Sequence, residues 1–133
     1  MNIKEKILEF KTYEDNWNGY DAPPFSEKVI SNALNLEKYL YYKKDELQPE
    51  IFPTSCNSLQ IEYDYHSNYL EIEITEDCYS IFEEIDGKQY EFNIDIDKIY
   101  EVINIIKLFY QPKVNNMCLF TGSFNPPTIS KDL

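Results

Sequence analysis

Arginine is absent from this chain of 133 residues: its twelve basic side chains are all lysines, set against twenty-four acids for a net charge of −12. Without guanidinium groups it lacks the fork that grips phosphate bidentately, and without a lysine cluster it has no positive patch to displace counterions. Direct binding of nucleic acid is therefore not expected. The three cysteines, Cys56, Cys78 and Cys118, are odd in number and widely spaced, which argues against a disulfide framework and a zinc site. His66 is the only histidine; it falls in a turn signal without an acid–base partner at recognisable spacing. No serine–histidine or cysteine–histidine arrangement can be built on it, and no cofactor or metal is expected. No apolar run approaches the roughly 18 residues of a membrane span, and no basic leader precedes an apolar stretch. A cytoplasmic protein with no membrane association is the expectation.

What is present is apolar and aromatic material, 43% and 16% of residues, enough for one folded domain. The charge is unevenly distributed. Residues 1–58 carry ten acids and seven lysines, a net −3, whereas residues 59–101 carry thirteen acids against Lys88 and Lys98, a net −11. One segment supplies most of the field, and a basic partner is favoured.

Apolar residues at Ile3, Ile7, Leu8 and Phe10 predict a short amphipathic helix over 3–11. Asn16, Asn18, Gly19 and Pro23-Pro24 then mark a loop. Ser26 is placed to cap a second helix reaching to about residue 44, with Val29, Ile30, Ala33, Leu34, Leu36, Leu40 and Tyr41 inward. Pro49 and Pro53 bracket a short extended piece. From Leu59 the period becomes two: Leu59, Ile61, Tyr63 and Tyr65 alternate with Gln60, Glu62 and Asp64, and Leu70, Ile72 and Ile74 alternate with Glu71, Glu73 and Thr75. His66-Ser67-Asn68 is the turn between these strands. Residues 79–85 and 88–94 supply two more around Asp86-Gly87, with Tyr90, Phe92 and Ile94 inward. Asp95 is positioned to cap a last helix to about Tyr110, ended by Pro112. The expected fold is α+β, a two-layer domain over 1–112 in which N-terminal helices and a C-terminal helix cover a four-stranded antiparallel meander.

On the uncovered face Glu62, Asp64, Glu71, Glu73 and Glu91 should project together, with Glu76, Asp77, Glu83, Glu84 and Asp86 near the turns. Such a face either docks a basic protein surface or is a solvated face that keeps sheets from pairing edge to edge. Neighbouring acids on a flat surface lack the enclosed, unlike environments that acid–base catalysis needs. Trp17 and Tyr20 are the exposed-aromatic candidates for an interface; the competing reading makes Trp17 a plug at the end of the core, with Gly19 supplying a positive φ.

Trp17-Asn18-Gly19-Tyr20, Ala22, Pro24 and later Pro49-Glu50-Ile51-Phe52-Pro53-Thr54 form a pattern. Over residues 13–95 it resembles a family of small bacterial proteins marked by Trp-Asp/Asn-Gly-Tyr-x-Ala-x-Pro, a helix, a Pro-x-Ile-x-Pro-Thr turn and acidic strands. Asn57-Ser58 stand where that family often has Gly-Gly. The resemblance implies the fold and no chemistry.

At the other end, Met117-Cys118-Leu119-Phe120 leads into Thr121-Gly122-Ser123-Phe124-Asn125-Pro126-Pro127-Thr128. Residues 113–133 resemble the first strand and phosphate loop of the nucleotidyltransferases, the cytidylyltransferase-like and nicotinate-nucleotide adenylyltransferase domains. The resemblance implies a nucleotide loop carried by Gly122, Ser123, Phe124, Asn125, Pro126 and Thr128. Ser130 and Lys131 depart from the glycine and histidine of that motif, and three residues follow Ser130. This segment reads as a vestige, a truncation, the trace of a frameshift or a coincidental turn.

The chain is accordingly expected to be a non-enzymatic, acidic protein-interaction module, an inhibitor, immunity or defence-related factor, with a homodimer compatible with that role. The alternative is the N-terminal accessory domain of a nucleotidyltransferase whose catalytic domain this chain does not include.

Overall fold

A computed structural model describes residues 2–40 and 48–111. Helix α1, Ile3–Phe10, starts with a capping box: the Asn2 side chain accepts from the Glu5 N–H while the Glu5 carboxylate accepts from the Asn2 N–H. Ile3, Ile7 and Phe10 recur at helical spacing and are its buried residues. Helix α2, Glu27–Glu37, begins where Ser26 Oγ accepts from the Val29 N–H at 3.2 Å, and it buries Val29, Ile30, Ala33 and Leu36. It ends well short of residue 44, because beyond Glu37 the bonds tighten: Tyr39 N–H donates to Leu36 O and Leu40 N–H to Glu37 O, closing the last turn. Tyr41 lies outside the described residues.

The described strands form one antiparallel sheet in chain order: β1 Glu50–Pro53, β2 Leu59–Tyr65, β3 Asn68–Ile74, β4 Cys78–Ile85 and β5 Lys88–Asp95. The fold is α+β with five strands, one more than the alternation predicts. The extended piece between the prolines pairs with β2, Glu50 opposite Glu62 and Phe52 opposite Gln60. Pro53 is tolerated there because it ends an edge strand on the side that makes no ladder bond. The two tight hairpins have positive φ at both central residues, 51° and 70° at His66 and Ser67 and 53° and 81° at Asp86 and Gly87. That left-handed pair follows the right-handed twist of flanking strands. Asn68 is thus not a turn residue: it opens β3 opposite Tyr65, and its Oδ1 accepts from the Asp86 N–H at 3.0 Å, joining the two hairpin tips.

After β5 a single 3-10 turn, Ile96–Lys98, precedes helix α3, Ile99–Phe109. The Asp95 side chain makes no capping hydrogen bond, contrary to expectation; it belongs to the last strand residue, and the chain enters the helix through the tighter turn. Val102, Ile106 and Phe109 are buried on α3, while Pro112 lies outside the described residues.

Alternate strand residues Leu59, Ile61, Tyr63, Leu70, Ile72, Ile74, Tyr79, Ile81 and Ile94 join the buried residues of all three helices in one cluster. Each such aliphatic burial contributes on the order of 1.5–3 kcal/mol. Tyr63 meets Tyr110 edge-on at 5.8 Å and Phe109 at 6.1 Å, which seats the end of α3 over β2. Phe92 is half-buried and Ile94 buried as expected, but Tyr90 remains 38% exposed, and its neighbours Lys88, Gln89 and Glu91 at the hairpin end of β5 are exposed as well. No described helix is long and apolar enough to cross a membrane.

Candidate protein-interaction face

Side chains alternate across a strand, so the buried set above places its neighbours on the opposite face. The register then aligns them. Glu50 stands opposite Glu62, Glu62 opposite Glu71, Glu71 opposite Phe82 and Phe82 opposite Glu91, a row crossing all five strands. A second row runs Phe52, Gln60, Glu73, Ser80, Asn93, and a third Asp64, Tyr69, Glu84, Gln89. Directly opposed residues have Cβ atoms about 5 Å apart, so the carboxylates are neighbours in space. Lys88 is the lone lysine within the described strands, and it shares parity with Ile94 on the other face.

Glu62, Asp64, Glu71, Glu73 and Glu91 thus share one face, and Glu50, Glu84 and Asp95 join them. The sequence around Glu50 carries no period, and only the pairing of β1 with β2 places it on this face. Phe52, Tyr69 and Phe82 are half-buried aromatic patches between the acids, and the parity of Phe82 against Tyr79 and Ile81 could have placed it. Glu83 does not belong to this set: it stands opposite Leu70 and Tyr90 at inward parity. Glu76, Asp77 and Asp86 occupy exposed turns.

Local contacts hold several of these carboxylates in place. The Tyr69 hydroxyl donates to Glu71 Oε1 at 2.9 Å, and Gln60 Nε2 donates to Glu62 Oε2 at 3.0 Å. Burial and the hydrogen bonds and negative charges of Glu62 and Glu71 hold the Tyr69 phenol well above the ordinary tyrosine range, so it stays a neutral donor. Ser58 is buried and donates to Glu73 Oε2; its hydroxyl accepts in turn from Thr54 Oγ1 at 2.6 Å, which itself takes the Cys56 and Ser58 N–H groups. The β1–β2 turn is thereby wired to one carboxylate of the face. Among the described residues no group of three or more His, Cys, Asp or Glu is arranged to hold a metal ion.

The Trp17 loop is self-bonded. Asn16 Oδ1 accepts from Asp21 N–H and Asn18 Oδ1 from Tyr20 and Ala22 N–H, while Asn16, Gly19 and Asp21 have φ near +63°, +80° and +64°. The indole packs at 5.2 Å from Phe25 and 5.3 Å from Tyr13, with Nε1 donating to Pro23 O at 2.8 Å. Half-buried Trp17 therefore closes the edge of the core near α1 and α2, while Tyr20, 87% exposed, is the aromatic the loop presents to solvent. His66 is exposed, its ring 4.1 Å from that of Tyr65. A shallow depression of about 280 Å³ between α2 and the start of α3 is lined by Asn32, Lys38, Tyr39, Tyr79, Asp97 and Ile99.

Gly122, Ser123, Phe124, Asn125, Pro126 and Thr128, the residues that resemble a nucleotide loop, lie outside the described residues. Compared with known proteins, the chain matches no family model, no curated protein and no solved structure.

Proposed function

We propose that this protein is a non-enzymatic interaction module that binds a basic protein surface through the outward face of its sheet, in the manner of an inhibitor, immunity or defence factor. In this reading the helices are one layer over the apolar face, and the other face is left for docking. The observation that carries it is the row Glu50, Glu62, Glu71, Glu91, interrupted by Phe82 and accompanied by no lysine of the strands. Aligned carboxylates focus a negative field and steer a cationic partner, while Phe52, Tyr69 and Phe82 offer apolar contact between the charges. Tyr20, projecting from the Trp17 loop, is the proposal's accessory contact. A lysine-rich peptide should bind the wild-type chain and fail to bind a folded variant with lysine at Glu62, Glu71 and Glu73. Equal binding by that variant would overturn the proposal.

A second reading rests on the sequence Gly122-Ser123-Phe124-Asn125-Pro126 alone: the domain would serve as an accessory to a nucleotidyltransferase. In that case the chain by itself turns over neither ATP nor CTP, and sequence encoded directly after Ser130 in another frame would continue with a histidine-containing helix.

A further inference from the structure

We infer that β5 is the edge on which a partner strand is added, and that the strand it takes carries basic side chains at alternate positions with apolar ones between. The inference rests on the proposed acidic face and specifies how a partner engages it.

Among the described residues β5 is the last strand of the sheet, eight residues long, without proline. The opposite edge, β1, has four residues and ends in Pro53. The two-residue hairpin at Asp86-Gly87 makes Ile85 and Lys88 a hydrogen-bonded pair, and the alternation of an antiparallel ladder then directs Lys88, Tyr90, Phe92 and Ile94 toward β4. The N–H and C=O groups of Gln89, Glu91, Asn93 and Asp95 point the other way, and among the described residues no strand pairs with them, which makes this edge a template for strand addition.

The side chains define the occupant. Gln89, Glu91, Asn93 and Asp95 project on the acidic face, so residues of an added strand opposite them lie beside Glu91 and Asp95. Lysine or arginine there is paired, and an acid is repelled. The intervening residues fall on the helix side next to Tyr90, 38% exposed, and half-buried Phe92, where an apolar side chain is accommodated. A second copy of β5 fits badly, since it would bring another Glu91 and Asp95 against these and abut two acidic faces.

The test uses the full chain and an acetylated nine-residue peptide alternating lysine with valine, with binding measured by titration and amide exchange by NMR. Binding is expected with slowed exchange at Gln89, Glu91, Asn93 and Asp95. Asn93→Pro removes an outward N–H while leaving the β4–β5 ladder intact, and it should weaken binding roughly tenfold; Asn93→Ala should not. The same peptide N-methylated at every second residue keeps its charge and alternation, and on unaltered protein it too should lose affinity. Binding that leaves the four β5 amides unprotected and tolerates the N-methylated peptide would overturn strand addition while the acidic-face proposal stands. No binding at low salt would overturn both.

Discussion

Glu62 stands directly opposite Glu71 across the β2–β3 ladder, and the Tyr69 hydroxyl donates to Glu71 Oε1 at 2.9 Å beside them. Two like charges facing each other on a sheet are held at a cost. Glu62→Gln should therefore stabilise the protein by about 0.5 kcal/mol, seen as a higher denaturant midpoint at unchanged slope. Because screening weakens that repulsion, the gain should shrink in high salt. Loss of stability in Glu62→Gln would mean that the pair is compensated by contacts other than Tyr69 and Gln60.

Tyr79 is buried in the core, and burial pushes its phenol up to about 12 from an ordinary 10.0. Its neutral form is favoured by the fold, so this contribution is complete below pH 10, declines as the unfolded chain ionises, and is gone once the pH passes about 12. The raised Tyr69 acts in the same direction. Alkaline unfolding followed by phenolate absorbance should show a late cooperative step, and Tyr79→Phe should flatten the fall of stability above pH 10. A Tyr79→Phe profile identical to wild type would contradict this assignment.

Trp17 is the single tryptophan, so its fluorescence reports on the loop without interference. Trp17→Phe keeps the ring stacked near Tyr13 and Phe25 but loses the bond to Pro23 O, and should cost about 1 kcal/mol. Trp17→Ala should cost about 3 kcal/mol by opening the core edge. Gly19→Ala meets no atom within 4 Å, so its cost of about 1 kcal/mol is conformational, from φ +80°. Thermal melts of the three variants rank these effects, and an unchanged Trp17→Ala melt would show that the loop plays no part in the core.

Asn32 on α2 donates through Nδ2 to Thr75 O at 2.9 Å and Glu76 O at 3.1 Å, fastening the helix to the β3–β4 turn. Asn32→Ala should destabilise the protein by about 1–2 kcal/mol, with faster amide exchange concentrated in that turn. Exchange that rises uniformly would assign Asn32 a global role instead.

Much of the sheet was legible because Leu59 to Ile74 alternates cleanly, and alternation follows directly from having one buried face. The Asp86-Gly87 hairpin was legible through its turn chemistry. β1 was not, since four residues between prolines carry no periodicity and Glu50 becomes part of the acidic row only by pairing with Glu62. The end of α2 was overestimated because Leu40 and Tyr41 continue the apolar spacing, whereas the bonds of Tyr39 and Leu40 have already tightened. Glu83 and Glu84 show the limit of composition: adjacent in sequence, they occupy opposite parities, so a count of acids includes Glu83 wrongly, and it does not place Glu50 and Asp95 on the face. Trp17 and Tyr20 are both interface candidates by sequence, with a core plug as the competing reading for Trp17; its packing on Tyr13 and Phe25 and its bond to Pro23 O favour the plug, whereas Tyr20 is turned out.

The most direct measurement is the association rate of the wild-type chain with a lysine-rich peptide as a function of ionic strength, alongside a folded variant with lysine at Glu62, Glu71 and Glu91. Fast association that falls steeply with salt is expected for wild type, and no measurable association for the variant. A rate independent of salt, or one the variant retains, would contradict the claim that the carboxylate row is the binding face.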